Sequence, residues 1–270
     1  MFAVFALARL GRAGFVFARE GVFGVIDPAD LPPHARLAIR LVRRLEKRST
    51  AVAEHRLAAA LTALGPAYVK LGQFLATRPD VVGTSLARDL ASLQDQMPPF
   101  AMAQAEAEVA AALGQPIAQR FTRFEPPIAA ASIAQVHRAE IETPTGRRVV
   151  AVKVLRPGVA HEFNADLAAF RYAARKAEAY SVEARRLRLA EVVETLARSV
   201  AIEMDLRLEA AALSEMAENT KDDTDFRVPQ VEWDLTARNV LTLDWIDGTP
   251  LTTTRRFARR ATTLDSSAAR

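Results

Sequence analysis

The sequence predicts an α+β fold in which a small antiparallel sheet is accompanied by helices. Residues 128–156, IAAASIAQVHRAEIETPTGRRVVAVKVLR, are rich in β-branched and aliphatic residues around the turn former Pro144-Thr145-Gly146, so we expect three short strands there. Stretches without glycine or proline predict helices at 101–113, 163–181 and 188–216. Two further strands are predicted at 228–233 and 239–246.

The first strands carry a pattern that is typical of loops over ATP. Protein kinases place glycine at positions 1, 3 and 6 of this loop and valine at position 8, and a Val-Ala-Ile-Lys strand follows. Here Ala129, Ala131 and Ala134 occupy the glycine positions, Val136 matches the valine, and a strand ending in Lys153 follows. A lysine at this place supplies a fixed positive charge for the α- and β-phosphates. Because alanine restricts positive φ, the loop is stiffer than in ordinary kinases.

The segment 129–137 resembles the alanine-rich loop of the UbiB (aarF-like) atypical kinases, Ala-x-Ala-Ser-Ile-Ala-Gln-Val-His. The match is continuous, and three further motifs in the same order support it. The resemblance implies a protein-kinase-like N-lobe that uses ATP and Mg²⁺. It assigns nucleotide binding to the loop, the strand lysine and the hinge strand, namely Ala129, Ala130, Ala131, Ser132, Ile133, Ala134, Gln135, Val136, Lys153, Asp244 and Ile246. Asp244 stands where we expect glutamate in the family.

The helix predicted over 188–216 carries carboxylates that suit this site. Asp205 and Glu209 are four residues apart and are expected to share a helix face, whereas Glu203 points elsewhere. Acidic residues on a solvated face are the alternative. In the family a Glu-x-Asp motif corresponds to Glu203 and Asp205, and the glutamate that pairs with the strand lysine corresponds to Glu209. The resemblance therefore implies catalytic roles for Lys153, Glu209, Glu203 and Asp205.

A helical extension precedes the strands. Helices are predicted at 51–64 and 67–77, and the second contains Lys70-Leu71-Gly72-Gln73. Lys70 and Gln73 share a helix face, while a glycine between them permits a backbone or ligand to approach closely. From the residues alone, a solvated lysine and glutamine are the usual interpretation. The segment resembles the Lys-x-Gly-Gln motif of the UbiB family, which implies an extension folded over the nucleotide site, where Lys70 and Gln73 regulate access by blocking protein substrates.

Composition excludes several classes of site. The chain has no cysteine, which excludes disulfides, thiolate nucleophiles and cysteine metal sites, and its four histidines lack zinc-ligand spacing. No metal site is therefore predicted within this chain. A net charge of +4 permits contact with anionic lipid, nucleotide or nucleic acid. No nucleic-acid-reading motif is present, so we predict no nucleic-acid partner.

Two segments favour contact with an anionic membrane surface. Residues 1–19 combine Arg9, Arg12 and Arg19 with bulky phenylalanines, and residues 36–48 form a basic amphipathic helix. Packing of these segments on the domain, with charged faces in water, is the alternative. No apolar run reaches the roughly 18 residues that a transmembrane helix requires. We expect peripheral association with the cytoplasmic face of the inner membrane.

The resemblance divides the chain into three parts. These are a helical extension at 1–97, a kinase-like N-lobe at 98–251 and an arginine-rich tail at 252–270 that is predicted to be disordered. Neither a His-x-Asp catalytic loop nor an Asp-Phe-Gly metal aspartate follows residue 248. The C-terminal lobe and its metal ligands are therefore absent from this sequence, and a truncated or frameshifted gene product is the preferred explanation.

The resemblance implies a UbiB-type atypical kinase or ATPase that supports ubiquinone biosynthesis. Proteins of that pathway or its lipid precursors would be its partners, beside ATP and ADP. We expect the chain alone to be inactive, because the residues that hold Mg²⁺ are missing. The alternative is a non-catalytic lipid- or protein-interaction module that retains the N-lobe.

Overall fold

The computed structural model describes residues 2–25, 44, 46, 56–91, 93 and 97–248. The helices before the sheet are α1 (Phe2–Arg19), α2 (Arg56–Leu64), α3 (Pro66–Ala76), α4 (Pro79–Val82), α5 (Thr84–Ala91) and α6 (Met102–Leu113). The strands are β1 (Arg123–Ala130), β2 (Ala134–Thr143), β3 (Gly146–Leu155) and, near the end of the described chain, β4 (Val240–Asp244). Between β3 and β4 lie α7 (Val159–Tyr180), α8 (Val182–Leu187), α9 (Leu189–Glu203) and α10 (Leu206–Asn219).

The strands form one antiparallel sheet in the order β1-β2-β3-β4, which confirms the α+β prediction of a kinase-like N-lobe. Residues that lie opposite each other in antiparallel strands project to the same face. Ala129 pairs with Val136, Val136 with Lys153, and Lys153 with Leu241, so these four residues share one face of the sheet. The register of β1 is irregular around Pro127. The face that bears Lys153 is the face on which a nucleotide site can form.

The opposite face of the sheet is closed by a small core. Val150, Val152 and Val154 are fully buried there against Val109 of α6 and Phe121. Removing such apolar side chains from water is the main contribution to the stability of the folded state, at about 1.5–3 kcal/mol for each fully buried valine or larger residue. This packing fixes β3 and thereby sets the direction in which Lys153 projects.

The second core joins α7, α9 and α10 to the helical extension, which we define as α1 to α5. Helix α1 lies on α7, where Ala6, Ala13 and Ala18 are buried and Arg9 Nη1 donates to Asp166 Oδ1 at 2.6 Å. One side of α1 therefore packs on the domain, as the alternative drawn from the sequence expects. No helix within the described residues is long and apolar enough to cross a membrane.

The helix predicted over 188–216 is broken in two, so the prediction of a continuous helix is wrong. Helix α9 ends at Glu203, and Asp205 caps α10 by accepting a hydrogen bond from Arg207 N at 3.2 Å. Aspartate favours this position because its carboxylate satisfies a free N–H of the first turn. Asp205 and Glu209 consequently do not share a face of one helix.

The strand predicted at 228–233 is also wrong. Only Val231 forms a bridge with Leu243, and a 3-10 turn, Trp233–Leu235, follows directly. Two backbone hydrogen bonds flank this bridge, from Glu232 N to the Thr242 carbonyl and from Asp244 N to the Gln230 carbonyl, both at 2.9 Å. Arg148 of β3 pairs with Glu232 and thereby holds this segment at the edge of β4.

The other predicted helices agree with the structure where it describes them. Residues 101–113 and 163–181 correspond to α6 and α7, and 67–77 corresponds to α3. Within 51–64 the described helix is α2. The basic helix predicted at 36–48, except Arg44 and Glu46, and the tail at 252–270 lie outside the described residues.

Gly72 of α3 lies where helices of the extension approach closely. A Cβ added there would be 2.4 Å from Leu93 Cδ1 and 2.8 Å from Leu61 Cδ1. The sequence suggested that a backbone or a ligand approaches this glycine, whereas the structure places leucine side chains there. The glycine of the Lys-x-Gly-Gln segment therefore has a packing role.

A buried hydrogen-bond network crosses the closed face of the sheet. His137 Nδ1 donates to the carbonyl of Glu125 at 2.8 Å, so Nε2 is the acceptor for Gln135 Nε2 at 3.0 Å. His137 is fully buried and its ring stacks on Phe124 at 4.5 Å. Burial lowers the pKa of His137, although the bond to the Glu125 carbonyl opposes this effect. The histidine is held neutral by its surroundings.

Gly72→Ala is expected to lower the free energy of unfolding. Overpacking costs about 1–3 kcal/mol, and the better helix propensity of alanine returns about 1 kcal/mol. Gly14→Ala in α1 is a matched control, because no atom lies within 4 Å of its added Cβ. Urea unfolding should show a loss for Gly72→Ala and no loss for Gly14→Ala. Equal stabilisation by both changes would contradict the packing role.

The His137 network predicts that stability falls in acid. The unfolded chain takes up a proton near pH 6.5, whereas the folded chain resists it until a lower pH because the pKa of His137 is lowered. The contribution is therefore complete above about pH 6.5 and declines as the pH falls below that value. Urea unfolding between pH 5 and pH 7.5 measures the slope. His137→Gln should reduce the slope, whereas His161→Gln, at an exposed histidine, should not; equal slopes for both variants would argue against the network.

Candidate functional site

The site is centred on an ion pair between the sheet and α10. Lys153 Nζ donates to both carboxylate oxygens of Glu209, at 2.7 and 2.9 Å. The sequence predicted this pair, and the structure contains it. Its side chains are 30% and 42% exposed, so the pair adds about 1 kcal/mol or less to stability. It is better suited to orienting the ammonium group than to holding the fold together.

A tight hairpin covers one end of the face that bears Lys153. The alanine-rich loop, residues 128–134, turns between β1 and β2, and Ala131 N donates to the carbonyl of Ala134 at 2.7 Å. Ala129 is exposed, and Ala130, Ala131 and Val136 are partly exposed. Ala129 and Val136 share the face of Lys153, whereas Ala130 lies opposite Gln135 and therefore on the closed face.

Other loop residues point into the protein. Ser132, Ile133 and Ala134 are buried, and Ile133 belongs to the core that includes α7 and α10. Gln135 lies opposite Val154, on the closed face, and is fully buried. The assignment of these residues to the nucleotide site stays a prediction, although their side chains do not point towards the face of Lys153, except that of Ala134. A contact with nucleotide from these four positions has to come from the backbone.

One of the two assigned hinge residues, Asp244, has its side chain turned away from the face of Lys153. Asp244 lies opposite Val150 on the closed face, and its Oδ1 is 3.3 Å from Arg148 Nη1. Ile246 is 40% exposed just beyond β4. The resemblance assigns nucleotide binding to this strand, which stays a prediction, and the orientation of the Asp244 side chain leaves the backbone at this position for that role.

A second ion pair links the helical extension to the end of α9. Lys70 Nζ lies 2.6 Å from Glu203 Oε2, and the lysine side chain is only 16% exposed. The structure therefore joins the Lys-x-Gly-Gln and Glu-x-Asp segments directly. Gln73, one turn further along α3, is partly buried. Glu203 was assigned a catalytic role from the resemblance, but here its carboxylate holds the lysine of the extension.

Asp205 is engaged by its own helix. Beside its capping bond, it accepts hydrogen bonds from Arg207 Nε and Nη2 at 2.9 and 2.7 Å. The hydrogen bonds from the Arg207 side chain lower the pKa of Asp205, so this carboxylate is ionised at neutral pH. Glu203, Asp205 and Glu209 each face a different cation, which separates their roles.

The described part of the chain holds no preformed cluster of metal-ligating side chains. No group of three or more histidine, aspartate or glutamate side chains among them is arranged to hold a metal ion. The carboxylates near Lys153 already have cationic partners.

One residue beside the loop, Arg156, was not predicted from the sequence to belong to the site. Arg156 follows β3 and donates to the carbonyl of Ala131 at 3.2 Å. Its guanidinium carbon lies 5.5 Å from the centre of the Phe100 ring. An arginine between the lysine strand and Pro157 was the available signal, but its position suggested only a turn.

The sequence is similar to those of known proteins. The ABC1 atypical kinase-like domain matches residues 92–269. The chain is 36% identical over 247 residues to a "Probable protein kinase UbiB" of Marinobacter nauticus, covering 91% of this chain and 45% of that protein. Proteins of the same description from Pseudomonas putida and Azotobacter vinelandii are 37% and 40% identical, over 96% and 83% of this chain and 48% and 41% of their own lengths.

The chain thus spans about half the length of the curated relatives that it matches. The matched domain contains the whole four-stranded sheet, Lys153 and Glu209. Together with the alanine-rich loop and the lysine-to-glutamate pair, this match shows that the chain belongs to the ABC1 atypical kinase-like family, the family of the UbiB proteins.

Proposed function

We propose that this chain provides the nucleotide-binding part of a UbiB-type atypical kinase or ATPase. The observation that carries the proposal is the bidentate contact between Lys153 and Glu209, on the sheet face that Lys153 shares with Ala129 and Val136. In protein kinases the equivalent pair presents the lysine to the α- and β-phosphates. Glu209 directs the ammonium group, and Lys153 neutralises phosphate charge.

The other assigned residues either shape the nucleotide site or control access to it. The backbone of the loop covers the phosphates, and the backbone of β4 and the residues after it contacts adenine. Alanine at the glycine positions keeps the loop stiff. The ion pair between Lys70 and Glu203 holds the extension beside the site, which supports a regulatory role for Lys70 and Gln73 in excluding protein substrates. This division follows the proposed boundaries of an extension at 1–97 and an N-lobe at 98–251.

We propose support of ubiquinone biosynthesis as the cellular role, because the curated relatives are described as probable protein kinases named UbiB. Proteins or lipid precursors of that pathway are the proposed partners. For phosphoryl transfer, Mg²⁺ has to neutralise the triphosphate. Since the described residues supply no metal site, we propose that this chain alone binds ATP or ADP weakly and turns over none.

A second proposal is peripheral association with an anionic membrane at the cytoplasmic face of the inner membrane. Helix α1 buries one side on α7 but leaves bulky apolar side chains in solvent, namely Val4, Phe5, Leu7 and Phe15. Beside it lies a largely apolar groove of about 510 Å³, lined by Ala6 and by Arg171, Tyr172, Arg175 and Lys176 of α7. Apolar side chains bordered by cations are typical of interfacial membrane contact.

Lys153→Ala is expected to weaken binding of a fluorescent ADP analogue by at least about tenfold, because a charged hydrogen-bond donor is lost. The melting temperature should change little, since the ion pair is partly exposed. Lys221→Ala is the matched control, because it removes an exposed lysine that pairs with Glu218 at 2.6 Å away from the site. Equal affinities for wild type and Lys153→Ala would refute the assignment of Lys153.

The membrane proposal predicts weaker recovery on anionic vesicles for the double variant Arg175→Gln and Lys176→Gln. Each lost charge removes about 1 kcal/mol near an anionic surface, or about fivefold in binding. Co-sedimentation with vesicles containing phosphatidylglycerol measures the effect. Arg198→Gln with Lys221→Gln removes the same charge from other exposed positions and serves as the control. Equal recovery of the wild type on neutral and anionic vesicles would remove the proposal.

A further inference from the structure

The linker between the extension and the sheet is hydrogen-bonded to the buried network of the closed face. We define the linker as residues 97–100, Met-Pro-Pro-Phe. Phe100 N donates to Gln135 Oε1 at 3.0 Å, and Gln135 Nε2 lies 3.5 Å from the Phe100 carbonyl. Gln135 is fixed in turn by His137 and is fully buried. One end of the linker is therefore attached to the strand that leaves the alanine-rich loop.

Arg156 connects the same linker to the loop itself. Its Nη2 donates to the Pro98 carbonyl at 2.6 Å and to the Ala131 carbonyl at 3.2 Å. Its backbone N donates to the Ile133 carbonyl at 2.8 Å. Ala131 occupies the second of the positions that are glycine in protein kinases. A single guanidinium group thus bridges the linker and the loop that covers the proposed nucleotide.

The surroundings make this bridge important for the conformation of the loop. A groove of about 370 Å³ separates the linker from the end of β1, lined by Met97, Pro98, Pro99 and residues 127–130. The hydrogen bonds of Arg156 connect the linker and the loop beside this groove, in addition to the bonds between Phe100 and Gln135. Arg156 forms no salt bridge with a carboxylate among the described residues, and burial lowers its pKa, so the carbonyls are its main polar partners. Hydrogen bonds from a charged donor are stronger than those between neutral groups.

We propose that Arg156 is a positioning residue that couples the linker, and through it the helical extension, to the alanine-rich loop. The inference rests on the proposed nucleotide site for its effect on binding. When the extension shifts, the Pro98 carbonyl withdraws from Arg156, the hold on Ala131 weakens, and the loop over the phosphates becomes more mobile. The extension then changes nucleotide affinity without touching the nucleotide.

Hydrogen exchange measured by mass spectrometry on the complete 270-residue chain tests the coupling without a ligand. Arg156→Ala should increase exchange at residues 131–134 and at Met97 and Phe100, the two linker residues that carry an amide hydrogen, by about tenfold or more, the expected effect of losing charged hydrogen bonds. Arg185→Ala is the matched control, because Arg185 Nη1 also donates to two carbonyls, those of Glu178 and Ala179 at 2.7 and 3.3 Å. Faster exchange in the linker with an unchanged loop would overturn the proposal.

Affinity for a fluorescent ADP analogue supplies the second measurement. We expect Arg156→Ala to alter the dissociation constant at least about fivefold, with a melting temperature close to that of Arg185→Ala, because the change acts on the loop. Arg156→Lys should restore loop protection and affinity together, and only partly, because lysine cannot provide the planar guanidinium.

Two outcomes separate the alternatives. If Arg156→Lys fully restores affinity while the loop still exchanges as fast as in Arg156→Ala, Arg156 acts by charge on the phosphates and the coupling is refuted. If the wild-type chain binds no nucleotide analogue at any concentration tested, the proposed nucleotide site fails. The exchange comparison then still decides whether Arg156 couples the linker to the loop.

Discussion

The break between α9 and α10 determines how the charged residues of the site are distributed. In a continuous helix, Glu203 and Glu209 would project from one rigid cylinder. The cap formed by Asp205, which contributes about 0.5–2 kcal/mol, ends that cylinder and starts another in a new direction. Glu203 can therefore hold Lys70 of the extension while Glu209 holds Lys153 of the sheet. The short junction between α9 and α10 thus links the extension, the sheet and α10 at the site.

Features with a local cause could be predicted from the sequence. The hairpin around Gly146, the lysine strand and the long helix α7 follow from residue patterns, and the pair between Lys153 and Glu209 followed from the resemblance. The helix break was missed because the interval 188–216 contains no glycine or proline, and a single aspartate in a helical pattern is a weak signal. The orientation of Gln135 was missed because a loop motif does not say which residues project to the closed face.

Motif residues in this chain serve either packing or charge interactions, and a sequence pattern does not distinguish the two roles. Gly72 allows leucine side chains to pack, and Ile133 fills the core beneath the loop. Lys70 and Lys153 instead form ion pairs, Lys70 with Glu203 of α9 and Lys153 with Glu209 of α10. A motif therefore reports a constraint at each position, and only the three-dimensional arrangement says whether the constraint comes from packing or from chemistry.

The irregular register of β1 has a consequence for association between molecules. This strand contains Pro126 and Pro127 and forms the outer edge of the described sheet. An open sheet edge normally invites a strand from another chain, because its N–H and C=O groups are unpaired. Proline offers no N–H, and the local irregularity disturbs the even spacing that an added strand needs. The same hairpin that presents the alanines can thus remain in water without acting as a template for intermolecular sheets.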